Sequence, residues 1–189
     1  LPQQQLLSFE QIEAFVRTAV ELGIRKVRLT GGEPLLRAEL ALLVARLHAI
    51  DGLQQIALTT NGMLLARHID ELVAAGLQRI NISLDTLSEP TFQRLTRRQG
   101  LHRVLEGIDS ARRHPQLEVR LNSLVLRDVN LDDIYGLVDF ARQRDLTLRF
   151  IEFMPLDSDR QWSQARMVGG QELRELLTLR FGPLVATVP

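Results

Sequence analysis

Apolar and polar positions along the chain alternate between a helical and a strand period. From Ser8, read as an N-cap, Phe9, Ile12, Phe15, Val16, Ala19 and Val20 recur at helical spacing until Gly23. Residues 26–30 predict a short strand that runs into Gly31-Gly32-Glu33-Pro34. Residues 38–49 predict a helix with Leu40, Leu43, Val44 and Leu47 inward, and 55–59 a strand stopped by Thr60-Asn61-Gly62. The alternation continues with a helix at 64–75, a strand at 78–84 and a short helical excursion starting in Asp85-Thr86-Leu87-Ser88-Glu89-Pro90. A helix at 101–113, a strand at 117–126, a helix at 131–144 and a strand at 146–153 follow, ending at Met154-Pro155. Residues 156–170 read as a polar connection and 171–179 as a terminal helix before Gly182-Pro183.

Strand starts recur about every 25 to 40 residues, the length of a βα unit. Alternating strands and crossover helices demand an α/β fold with a mainly parallel sheet. Five strands do not close an eight-stranded barrel. The pattern therefore predicts an incomplete barrel, with an open doubly wound sheet as the alternative.

Each strand has two faces. Val27, Leu29, Ile56, Leu58, Ile80, Ile82, Leu84, Val119 and Leu121 form the face that meets the helices. The other face carries Lys26, Arg28 and Thr30, then Thr59 and Asn61, then Arg79, Asn81, Ser83 and Asp85, then Arg120 and Asn122. The last strand adds Arg149 or Glu152, with its facing left open by Phe150, Ile151 and Phe153. Parallel strands are usually apolar on both faces. The polar residues gather towards the carboxyl ends, where α/β folds bind ligands, so a ligand-lined cavity is favoured over a solvated face. Guanidinium groups at Arg28, Arg120 and Arg149 suit a phosphate or carboxylate.

Composition narrows the partner. The chain has 189 residues, enough for one globular domain, with 23 basic and 23 acidic side chains. That balance gives no global basic footprint for nucleic acid, so the arginines describe a local pocket for a small anion. Charges interrupt every apolar run, so no membrane span is expected, and Leu1-Pro2-Gln3-Gln4-Gln5 lacks the features of a secretory signal. There is no cysteine, hence no disulfide and no thiolate ligand. His48, His68, His102 and His114 fit no metal spacing, and no Ser/His/Asp arrangement points to nucleophilic catalysis. Opening on Leu, the chain reads as a piece of something longer.

Singly, the motifs are weak. Gly31-Gly32-Glu33-Pro34 is a tight turn after a strand, with Glu33 able to receive an ammonium group. It lacks the third glycine of a dinucleotide fingerprint and the Gly-Lys-Ser/Thr of a P-loop. Thr59-Thr60-Asn61-Gly62 is chemically a good hairpin turn, Ser83-Leu84-Asp85 suits a helix cap, and Met154 is of a type more often found in a core.

In order they resemble one family. The pieces 28–37 (RLTGGEPLLR), 58–62 (LTTNG), 81–85 (NISLD) and 149–155 (RFIEFMP) are similar to the radical S-adenosyl-L-methionine (SAM) enzymes. Among these they resemble the GTP 3',8-cyclases of molybdenum cofactor biosynthesis. The likeness runs from Leu6 to about Gly182. It implies an incomplete (β/α)6 TIM-like barrel of the radical SAM type, with the first strand and cluster loop absent. Residues 1–156 would be the partial barrel core, and 157–189 a post-barrel connection and helix. The resemblance implies SAM contacts at Gly31, Gly32, Glu33, Ser83, Asn122 and Met154. It implies GTP contacts at Arg28, Thr30, Thr59, Arg120 and Arg149, with Arg120 standing where the family usually has Lys.

The chemistry implied is conversion of GTP to 3',8-cyclo-7,8-dihydro-GTP. A [4Fe–4S] cluster reduces SAM, and the resulting 5'-deoxyadenosyl radical takes hydrogen from the ribose. The family's two cysteine clusters match nothing here, so the chain resembles the middle of a longer cytoplasmic enzyme. Alone it is expected to bind no cluster and to be inactive, with no catalytic residue and no metal ligand of its own. The resemblance also implies an electron donor and a next enzyme of the pathway as partners, and allows a homodimer. Another radical SAM activity and a non-catalytic nucleotide-binding remnant are the alternatives.

Overall fold

The computed structural model describes residues 6–155 and 163–186. The expectations for Leu1–Gln5 and for the 156–162 part of the polar connection lie outside the described residues.

The first helix, α1 (Phe9–Glu21), starts where a capping box can form. Ser8 Oγ accepts the Gln11 N–H, and the Gln11 side chain accepts the Ser8 N–H at 2.8 Å. Val16 and Val20 are buried, but Phe15 is 73% exposed, against the expected apolar stripe. Phe15 lies one residue, roughly 100° of helical turn, from Val16 and so leaves the inward side. Strand β1 (Lys26–Leu29) follows, then α2 (Leu40–His48), whose Leu40, Leu43, Val44 and Leu47 are all buried. Next come β2 (Gln55–Thr60), α3 (Leu65–Ala74), β3 (Arg79–Ser83) and α4 (Glu89–Thr96). Then come α5 (Leu101–Ala111), β4 (Glu118–Leu124), α6 (Ile134–Gln143), β5 (Thr147–Ile151) and α7 (Gly170–Phe181).

The starts of two expected helices are sharpened. Asp85–Leu87 is not helical, because the Thr86 hydroxyl donates to Asp133 at 2.5 Å and accepts the Ser88 N–H at 2.9 Å. Those bonds turn the chain before Ser88 caps α4. The 131–144 helix opens with a 3₁₀ turn at Leu131–Asp133 before α6.

The sheet order is β1-β2-β3-β4-β5, the order of the chain itself. β1 pairs parallel with β2 and β2 with β3, in registers such as Arg28↔Ala57 and Ala57↔Arg79. A doubly wound sheet reverses its strand order at a switch point, whereas barrel winding keeps strands consecutive. The consecutive order therefore removes the doubly wound alternative.

The chain divides into two compact units, Leu1–Ile82 with His102–Arg120 and Ser83–Leu101 with Leu121–Pro189. In the first, Ile56, Leu58, Ile80 and Ile82 are fully buried with Leu47 and Leu72 of the helices. In the second, Val125, Ile134, Val168 and Leu173 form the core, with Phe150 packed against them. Phe150 thus faces the core, leaving Arg149 and Ile151 on the exposed side of β5. Among the described residues no helix is long and apolar enough to cross a membrane.

Candidate functional site

In the first unit the turn after β1 is built around Glu33. Its carboxylate accepts the Leu35 N–H at 3.0 Å, the Thr60 hydroxyl at 2.7 Å and the Asn61 N–H at 2.8 Å. The expected ammonium acceptor therefore already holds three donors of its own chain, and it ties the turn to the exit of β2. Thr60 is 2% exposed, and its Oγ1 also accepts the Gly62 N–H at 3.1 Å, while Asn61 Oδ1 accepts the Met63 N–H. This segment passes from strand into α3 and makes no hairpin, since β2 and β3 run parallel.

The two glycines of the turn differ. Gly31 has φ of +144°, a conformation glycine favours. Gly32 has an ordinary φ, and a Cβ built on it meets no atom within 4 Å. None of the described residues requires glycine at 32.

The polar face of this unit holds the remaining candidates. Arg28 and Thr30 are exposed at β1, and Thr59 is half-buried at β2. Asn81 is 1% exposed; its Nδ2 donates to Thr59 Oγ1 at 3.5 Å and its Oδ1 has no hydrogen-bond partner among the described residues. Arg28, Ala57 and Arg79 stand in one row across β1, β2 and β3, with the small Ala57 between two guanidinium side chains. Arg120 and Arg79 both reach Glu118, which sequence reasoning did not single out. Burial works against the charged Glu118, but the hydrogen bonds from Arg79 and Arg120 outweigh it and hold its pKa below the ordinary carboxylate range.

In the second unit, Ser83 is exposed at the end of β3. The Leu84 N–H donates to the Asn122 carbonyl at 2.9 Å, which brings the Ser83 and Asn122 segments side by side. Asp85 is not a helix cap: its Oδ1 accepts the Leu124 N–H at 2.7 Å. Burial raises its pKa to about 6, only partly offset by that bond. The buried Asn130, also absent from the sequence reading, donates to the carbonyls of Asp85 and Leu124 and accepts the Leu126 N–H. No motif flagged it, because its role depends on a loop folding back onto β4. Met154 is 54% exposed just after β5, not in the core. Glu152 accepts the N–H of Gly170, the first residue of α7, at 2.6 Å.

Comparison with known proteins gives a consistent result. Residues 1–141 match the Radical SAM superfamily. The chain is 45% identical over 188 residues to a GTP 3',8-cyclase of Rhodopirellula baltica, covering 99% of this chain and 52% of that protein. It is 42% identical to molybdenum cofactor biosynthesis protein 1 of Drosophila melanogaster, covering 95% of this chain and 32% of that one. The chain thus spans about half the length, or less, of these curated relatives. Among solved structures, native anSMEcpe with bound AdoMet and a peptide superposes with a TM-score of 0.68 at 16% identity, over 93% of this chain and 52% of that one. At that identity the likeness is one of fold, and it agrees with the partial barrel expected.

Proposed function

The chain belongs to the radical SAM superfamily, and from that premise we propose that it forms the ligand-holding middle of a GTP 3',8-cyclase of molybdenum cofactor biosynthesis. The observation that carries this reading is the match along almost the whole chain to proteins named for that activity.

We assign SAM binding to Gly31, Gly32, Glu33, Ser83, Asn122 and Met154, and GTP binding to Arg28, Thr30, Thr59, Arg120 and Arg149. Gly32 supports the first set, because bare backbone with open space above it lets a ligand approach closely. SAM, when bound, supplies the group that abstracts hydrogen from the substrate. An iron–sulfur cluster does not fit these residues. The chain has no cysteine, and among the described residues no three His, Cys, Asp or Glu side chains gather as a metal site. No step through a cluster is assigned to them.

What this chain contributes is charge and position. Arg28 and Arg120 hold the triphosphate of GTP and thereby fix the ribose, without donating or taking a proton. The same proposal carries a barrel core at 1–156 and a following connection at 157–189. It extends to an electron donor, a next enzyme that consumes the cyclised nucleotide, a cytoplasmic setting and a homodimer.

The test is an anaerobic incubation of the full-length, iron- and sulfide-reconstituted protein with GTP, SAM and a reductant. The expected product is an isomer of GTP with a new bond between ribose C3' and guanine C8. SAM cleavage with GTP returned unchanged would assign the chain to a different substrate.

A further inference from the structure

The first unit holds an unequal charge cluster that the assignments above leave unexplained. Glu118 and Arg120 are two residues apart on β4 and so share a face. Glu118 Oε1 accepts from both Nε and Nη2 of Arg120, and Glu118 Oε2 accepts from Nε of Arg79 at 2.5 Å. Both arginine side chains are mostly buried, 19% exposed for Arg79 and 18% for Arg120. Two cations and one carboxylate leave a surplus positive charge on the polar face.

We propose that Glu118 is a positioning residue that aims the guanidinium of Arg120 at an anionic group of the substrate, with Arg79 anchoring Glu118 from the neighbouring strand. The inference rests on the assignment of Arg120 to GTP. A guanidinium is a planar fork with five N–H donors. The carboxylate grips the Nε side of that fork, and the outer Nη1 edge has no partner among the described residues. A flexible side chain held by one edge presents the other in a fixed direction, which is what bidentate recognition of a phosphate requires. Glu118 remains ionised in this setting, since its pKa lies below the ordinary range. Arg79 stops the carboxylate from swinging with Arg120. It also stands in the cross-strand row of Arg28, another arginine assigned to GTP.

Removing Glu118 has two opposed effects: it raises the local positive charge and it frees Arg120. The geometry favours the second, because the surplus charge is already present and direction is what Glu118 adds.

The experiment is a double-mutant cycle on the full-length protein, reading dissociation constants for GTP and for guanosine, which has no phosphate. Arg120→Ala should weaken GTP about tenfold and guanosine less than twofold. Glu118→Gln should weaken GTP about fivefold in the wild-type background and have almost no effect beside Arg120→Ala. Arg79→Ala should resemble Glu118→Gln more mildly. A Glu118→Gln effect that is absent, reversed in sign, equal in both backgrounds, or equal for guanosine overturns the positioning role while Arg120 keeps its assignment. Unchanged GTP binding in Arg120→Ala overturns the assignment of Arg120 itself, and the positioning role with it.

Discussion

Glu33 Oε1 accepts the Thr60 hydroxyl at 2.7 Å, and this contact fixes the glycine turn after β1 to the end of β2. The Thr60 side chain is buried, so its hydroxyl has no water to turn to if the carboxylate is removed. Glu33→Gln places an amide N–H₂ either against the Asn61 N–H or against the Leu35 N–H and the Thr60 hydroxyl, all of which now donate to the carboxylate. A donor left facing a donor in a buried position costs on the order of 1–3 kcal/mol. Chemical unfolding should show that loss, together with weakened SAM binding. A variant as stable as the wild type would separate the turn from its carboxylate.

Gly62 and Gly32 should respond oppositely to alanine. Gly62 has φ of +77°, and a Cβ there meets Ile82 Cγ2 at 2.9 Å and Val104 Cγ1 at 3.0 Å. Left-handed backbone and overpacking together make Gly62→Ala destabilising by about 2–4 kcal/mol. Gly32→Ala meets nothing among the described residues and should leave the midpoint of thermal unfolding within a degree or so, while lowering SAM affinity. Equal melting of the two variants would contradict the distinction between a packing glycine and a ligand glycine.

Asp85 makes stability depend on pH in the direction opposite to most carboxylates. Its folded-state pKa is raised from 3.8 to about 6, so the folded chain holds this proton more tightly than the unfolded chain. Stability from this group is therefore greatest below pH 3.8, falls as the pH rises towards 6 and stays low above that. At about 1.4 kcal/mol per pKa unit the span is roughly 3 kcal/mol. Asp85→Asn keeps an oxygen for the Leu124 N–H and removes the charge. It should stabilise the protein at pH 8 and leave it nearly unchanged at pH 4, as read from denaturant midpoints at the two values. A stabilisation equal at both would point away from ionisation.

Strand alternation made much of this legible in advance. Ile56, Leu58, Ile80 and Ile82 were assignable to the core because they alternate with Gln55, Thr59, Arg79, Asn81 and Ser83 on the opposite face, and all four are buried. The helix ends at Ser8, Gly23 and Gly76 followed from local backbone chemistry and needed no tertiary information. Phe15 was misjudged because helical spacing gives the angle of a stripe and not its width. The excursion expected to start within residues 85–90 does start there, at Glu89, but its exact first residue depends on Thr86 bonding to Asp133, 47 residues on. Glu118 and Asn130 escaped notice for the same reason: their partners Arg79, Asp85 and Leu124 come from other strands or turns. The candidate residues themselves are proposed from motif order, but Glu33's engagement with Thr60 and Asn61 belongs to the fold and is not written in the spacing.

The central claim is that this face carries two ligands on separate residues, GTP on the arginines and SAM on the glycine turn. It is tested most directly by titrating the full-length protein with each ligand in the wild type, Arg28→Ala and Gly32→Val. Arg28 is exposed on β1 and Gly32 has open space above it, so neither change disturbs the core. Arg28→Ala should weaken GTP about tenfold, the worth of one charge-assisted contact, and leave SAM within twofold. Gly32→Val should do the reverse. Parallel losses of both ligands in both variants, or GTP affinity untouched by Arg28→Ala, would contradict the account.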